Sequence, residues 1–199
     1  MMTRRGIWWG LGSVLVMLVA VGVAFYQQQM QQASGEPRGG PIELPSTEGD
    51  FSLSQLEDDQ LAVVFFGYTW CPDVCPMSLA VVRQVMGQLS PEQRRRVVPL
   101  MISLDPERDT LARLEEYLAF FGDGFIGATA SPEVLAPLAD RYGVVWRKVE
   151  TPDSAMAYTI DHSASLFLVD RDGEIRRRVL HSPTSGPLQA ALEKALMEG

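Results

Sequence analysis

Leu61-Ala62-Val63-Val64-Phe65-Phe66-Gly67-Tyr68-Thr69-Trp70-Cys71-Pro72-Asp73-Val74-Cys75-Pro76 decides how the chain is read. Leu61 to Phe66 is apolar, β-branched and aromatic, as expected of a strand buried on both faces. Gly67 to Trp70 breaks that run, and Met77 to Leu89 continues it as an amphipathic helix. Strand, loop and helix place Cys71 and Cys75, the only two cysteines in the sequence, at a helix N-terminus. Unpaired N–H groups and the positive end of the helix dipole favour negative charge there. Either thiol is therefore expected to ionise more readily than a free cysteine.

Spacing limits what the pair can do. If the helix begins at Pro72, positions 71 and 75 share one face, with Cβ atoms roughly 5–6 Å apart. Two sulfurs so placed can hold one metal ion, or close a disulfide, whose Cα separation extends to about 6.8 Å. A purely structural disulfide is the weaker reading, because so short a loop removes little entropy from the unfolded chain.

Working outward, residues 1–6 carry Arg4 and Arg5, and Ile7 to Tyr26 contains no charge. About 20 apolar residues suffice to cross a bilayer as a helix, and flanking arginines place the N-terminal side in the cytoplasm. The expectation is an uncleaved, single-pass anchor over 7–26 in the inner (cytoplasmic) membrane, with the rest on the periplasmic side. A cleaved signal peptide would carry a shorter apolar core, about 7–15 residues. Residues 27–40, rich in Gln, Gly and Pro, read as a flexible tether, and 41–199 as one domain. The 17 basic residues less Arg4 and Arg5 leave 15 against 25 acidic ones, a formal charge of −10 beyond the anchor. That surface argues against nucleic acid as a partner.

Periodicity orders the elements. Ile42 to Leu44 and Phe51 to Leu53 flank a turn at Ser46 to Asp50, and Val97 to Leu104 is a second buried strand. Asp109 or Thr110 caps a helix running to Phe121, with Leu111, Leu114, Leu118 and Phe121 on one face. Phe125 to Thr129 reads as a strand, Pro132 to Tyr142 as a helix and Val144 to Val149 as a further strand. Ala164 to Val169 and Glu174 to Leu180 form a hairpin about Asp170-Arg171-Asp172-Gly173, and Pro187 to Met197 a closing helix. This is an α/β domain around a central mixed sheet flanked by helices. In a thioredoxin-like version of that sheet, the first hairpin strand runs antiparallel to the strand leading into the cysteines. His162, just before it, then faces Cys71 and Cys75; the second hairpin strand returns to the same edge and would bring His181 near.

Three stretches together carry a resemblance: Phe66 to Pro76, Ser103-Leu104-Asp105-Pro106-Glu107-Arg108-Asp109-Thr110, and Tyr158-Thr159-Ile160-Asp161-His162-Ser163. In order and separation they resemble the signature of the Sco/SenC proteins, membrane-anchored, thioredoxin-fold copper-binding proteins that help assemble the dinuclear copper site of cytochrome c oxidase. The resemblance implies a copper chaperone with Cys71, Cys75 and His162 as metal ligands, and assigns His181 none. Trp70 stands where many members have histidine, and Leu111 where proline often follows; neither touches the three ligands.

The residue chemistry agrees. Two thiolates and an imidazole make a soft site suited to Cu(I) and able to accept Cu(II), although zinc would fit the same donors with a water. Asp73 either tunes the site or stabilises the helix start, and Asp161 either orients His162 or ends a strand. Asp105, Arg108 and Asp109 read as a loop-fixing charge cluster rather than an acid and base over a substrate pocket. Enzymatic turnover is thus not expected beyond a thiol-disulfide reductase activity of Cys71 and Cys75. That activity, directed at the cysteines of the oxidase copper site, is the alternative to metal transfer. The expected partners are a copper-accepting oxidase subunit and, besides it, periplasmic copper donors or thiol reductants.

Overall fold

The computed structural model describes residues 17, 19–23, 37–152 and 156–198. From Pro37 the chain forms one unit, opening with a hairpin of β1 (Glu43–Ser46) and β2 (Gly49–Ser52). Next come β3 (Leu61–Gly67), α1 (Val74–Gln88), α2 (Pro91–Arg95), β4 (Val97–Ser103), α3 (Leu111–Leu118), β5 (Ile126–Ala128) and α4 (Pro132–Arg141). The chain ends with β6 (Trp146–Glu150), β7 (Tyr158–His162), β8 (Ser165–Val169), β9 (Ile175–Leu180) and α5 (Gly186–Glu198).

Seven strands in the order β2-β1-β5-β4-β3-β8-β9 make the central sheet. β3, β4 and β5 are parallel, while β8 runs antiparallel to β3 and β9 to β8, so the sheet is mixed. All seven residues of β3 are buried, because both faces are covered. Leu61, Val63 and Phe65 pack with Leu79 and Val82 of α1 and with Leu188 of α5. Ala62, Val64 and Phe66 point the other way, toward Leu135, Leu138 and Tyr142 at α4. This is the period of two that a strand imposes, and it clamps the thiol-bearing loop between two cores.

Three details depart from the sequence reading, and a fourth, the cap of α3, settles an alternative it left open. α1 begins at Val74 rather than at Pro72 or Met77, with Asp73 standing before it as the N-cap in a non-helical conformation, φ −142° and ψ −71°. Ser90 opens a new short helix as well as ending α1: its Oγ accepts the Gln93 N–H at 3.2 Å, and Gln93 Oε1 accepts the Ser90 N–H at 3.0 Å in a capping box. Thr110, not Asp109, caps α3, its Oγ1 accepting the Arg113 N–H at 3.2 Å. The strand expected over Val144 to Val149 leaves the central sheet and pairs only with β7, in a separate two-stranded ribbon. Arg147, Lys148 and Glu150 explain this, since their exposed side chains could not enter a sheet covered on both faces.

The span expected over 7–26 and the tether expected from 27 lie largely outside the described residues. Among the described residues no helix is long and apolar enough to cross a membrane. Residues 38–40 are fastened to the domain: Arg38 and Gly39 N–H groups donate to the Arg141 carbonyl at 2.7 and 3.1 Å, and the Gly40 N–H to the Gly173 carbonyl at 2.8 Å. Here two backbones touch: a Cβ on Gly173 would lie 2.5 Å from the Gly40 carbonyl, and both residues hold a positive φ, 120° at Gly40 and 83° at Gly173, so both positions require glycine.

Candidate metal centre

Cys71 leaves β3 through a turn in which its N–H donates to the Tyr68 carbonyl at 3.3 Å. The Asp73 N-cap makes no side-chain capping bond; instead Cys71 Sγ accepts the Cys75 N–H at 3.4 Å. A sulfur thus satisfies one of the donors a helix leaves unpaired at its start. Asp73 therefore does not perform the side-chain cap that its position offered. Cys75 is fully buried and Cys71 half-buried. Gly67 makes room for the pair, because a Cβ there would lie 3.0 Å from Cys75 Sγ and 2.6 Å from the Phe65 ring.

The two thiols are not equivalent, contrary to the expectation that both ionise easily. Cys71 is lowered to about 3, first by the hydrogen bond from the Cys75 thiol and next by His162, against the opposing effect of burial. Cys75 is raised, because it is the donor in that bond and is desolvated. The reduced pair is one half-buried thiolate and one buried thiol.

His162 ends β7, and its Nε2 lies 3.3 Å from Cys75 Sγ. Its ring stands edge-on to Phe65 and Tyr68, both with centroids 6.1 Å away, and its Nδ1 is 3.3 Å from the Ser163 carbonyl oxygen. Donor atoms of Cys71, Cys75 and His162 lie within 4.8 Å of one another. Two sulfurs and an imidazole nitrogen within that radius fit a soft metal ion, whose bonds to such donors are about 2.0–2.3 Å for zinc. His181 goes elsewhere, its Nδ1 3.0 Å from Ser78 Oγ. Asp161 does not orient His162: its carboxylate accepts from Arg147 Nη2 at 3.0 Å, pointing away along the ribbon.

The Asp105–Asp109 segment fixes the loops, as its charge pattern implied. Asp109, fully buried, accepts from the Thr69 N–H at 2.8 Å, Thr69 Oγ1 at 2.6 Å and Ser103 Oγ at 2.5 Å. Asp105 accepts from Arg108 Nε at 2.5 Å and from the Tyr158 hydroxyl at 2.7 Å. Sequence reasoning gave Thr69 and Tyr158 no role. The alternation of Tyr158, Ile160 and His162, with the first two buried, was the available signal for Tyr158.

Comparison with known proteins agrees with this geometry. The SCO1/SenC family profile matches residues 30–197. An SCO2-like protein of Rickettsia conorii is 33% identical over 136 residues, covering 68% of this chain and 66% of its own length. The chain thus spans about two thirds of that relative. Arabidopsis thaliana ScoI, solved with copper bound, superposes with a TM-score of 0.73 at 30% identity, over 81% of this chain and 99% of that one. Bradyrhizobium japonicum ScoI, also solved with copper bound, gives 0.68 at 34% identity, over 79% and 98%. With this profile match, and a thioredoxin-like α/β fold shared with those structures, the chain belongs to the SCO1/SenC family.

Proposed function

We propose that this protein is a copper-transfer protein that takes up a copper ion through Cys71, Cys75 and His162 and passes it to the dinuclear copper site of cytochrome c oxidase. The observation that carries the reading is the convergence of two sulfurs and one imidazole nitrogen within 4.8 Å. Such a donor set suits Cu(I), whereas carboxylates, preferred by magnesium or calcium, are absent from it. Coordination displaces the proton of Cys75, since thiols bind metals as thiolates. The relatives solved with copper support the cargo, and the family resemblance supports the acceptor. Residues 7–26 serve as an inner-membrane anchor, holding the 41–199 domain on the periplasmic side where an oxidase subunit can meet it at raised effective concentration.

A second reading has its own support. A half-buried thiolate beside a buried thiol is the arrangement of a thiol-disulfide reductant, with Cys71 attacking a partner's disulfide and Cys75 resolving the mixed disulfide. His162→Ala separates the two. Copper titration of the reduced full chain in mild detergent, with X-ray absorption to count ligands, should give one copper bound by two sulfurs and a nitrogen. Affinity should fall at least tenfold in the variant, with the nitrogen lost. Equal affinity in both proteins, with dithiol exchange intact, would replace metal transfer by the reductase reading.

A further inference from the structure

The three donors rest on supports of very different rigidity. Cys71 and Cys75 follow β3, a strand buried along its whole length within the seven-stranded sheet. His162 sits at the end of a ribbon, β6 with β7, that shares no backbone ladder with that sheet. A lone two-stranded ribbon is at best marginally stable in water. Something must therefore hold it in place to keep Nε2 at 3.3 Å from Cys75 Sγ.

Besides Ile160, which is buried in the core, what holds it is Tyr158, four residues before His162 on the same strand. Arg108 Cζ lies 3.6 Å above the Tyr158 ring, and Arg108 Nη1 donates to the Tyr158 carbonyl at 3.1 Å. The Tyr158 hydroxyl donates to Asp105, which also binds Arg108 Nε. Lys148 of β6 lies 3.8 Å from the same ring and pairs with Glu107 at 2.8 Å. The other end of this segment, Asp109, grips Thr69, two residues before Cys71. Asp105, Glu107, Arg108 and Asp109 thus brace both the thiol loop and the histidine ribbon. Arg108 Nη2 is left buried without a hydrogen-bond partner. That costs stability, as expected if this arginine serves geometry first.

We propose that Arg108 and Tyr158, joined through Asp105, are positioning residues that set His162 against the cysteines and so decide whether copper is held by three donors or two. This rests on the copper-binding reading. It predicts that Tyr158→Phe, which keeps the ring but loses the bond to Asp105, behaves as a weakened His162 rather than a weakened fold. The same holds for Arg108→Lys, which keeps the charge but loses the planar stack and its fork of donors.

The test is a double-mutant cycle on the full chain: Cu(I) affinity by chelator competition for native, Tyr158→Phe, His162→Ala and the double variant, with ligand counting by X-ray absorption. Outer-shell partners of metal-bound histidines are worth about 10–100-fold in affinity. Tyr158→Phe should lose that much, show a diminished nitrogen contribution, and leave the alkylation rate of Cys71 unchanged. In the His162→Ala background the same substitution should cost nothing. A loss of equal size in both backgrounds, or no loss at all where His162→Ala has one, overturns the positioning role alone. Native affinity in His162→Ala overturns the ligand assignment and this proposal with it. Arg108→Lys, carried through the same cycle, keeps the test decisive should Tyr158→Phe fail to fold.

Discussion

Cys71 Sγ accepts the backbone N–H of Cys75 at 3.4 Å, so one of the two sulfurs also serves as the cap of the helix that carries the other. A thiol in that role is stabilised as thiolate. With Cys71 lowered to about 3, its ionised fraction is constant from neutral pH down to about pH 5 and falls only toward its own pKa. A free cysteine, with pKa near 8.5, loses about tenfold in thiolate per unit over that range. Alkylation of the reduced, metal-free protein by iodoacetamide, read by peptide mass spectrometry, should therefore be flat at Cys71 between pH 5 and 8 and slow throughout at buried Cys75. A Cys71 rate rising tenfold per pH unit would refute the split.

Asp109→Asn tests the brace on the thiol loop. The carboxyl accepts three hydrogen bonds while fully buried, and an amide would present donors to at least one of those donors. The expected cost is about 1–3 kcal/mol, or roughly 2–12 °C in Tm for a domain of this size. Thermal unfolding by circular dichroism measures it, and an unchanged Tm would show that the loop is held by other means.

Gly67→Ala introduces a methyl group between the Phe65 ring and Cys75 Sγ, at 2.6 and 3.0 Å. Overpacking of this kind costs about 1–3 kcal/mol. Here it should also displace Cys75, so urea unfolding and copper affinity are expected to fall together. Loss of stability with native affinity would mean that the phenylalanine, not the sulfur, gives way.

His181→Ala should leave copper affinity within about twofold of native, because the His181 ring is engaged with Ser78 and stands apart from the three-donor group. Chelator competition decides this, and a tenfold fall would make His181 a ligand.

The central sheet was legible because its signals are local. The unbroken apolar runs of β3 and β4 and the Asp-Gly turn between β8 and β9 each mark a segment by composition alone. The convergence of Cys71, Cys75 and His162 was legible through the resemblance, which paired two cysteines with a histidine some ninety residues away. What stayed hidden depends on partners distant in sequence. Asp109 looks like a helix cap until Thr69, forty residues earlier, is folded against it. Asp161 looks like a companion of His162 until β6 supplies Arg147. The β6–β7 ribbon lacked a tight two-residue turn, since its strands are joined by a longer segment, and Trp146-Arg147-Lys148-Val149-Glu150 buries no residue fully that would mark a core face.

The glycine contact at Gly40 and Gly173 has a mechanical consequence. Gly173 belongs to the turn after β8, beside the start of β3, whereas the cysteines follow the end of β3. Seven strand residues at about 3.3 Å each put roughly 20 Å between them. The polypeptide enters its domain at one pole and presents sulfur at the other. A partner can close over the thiols without meeting the point of entry, and a pull on the chain at Pro37 is taken up by the hairpin turn rather than by Cys71, Cys75 and His162.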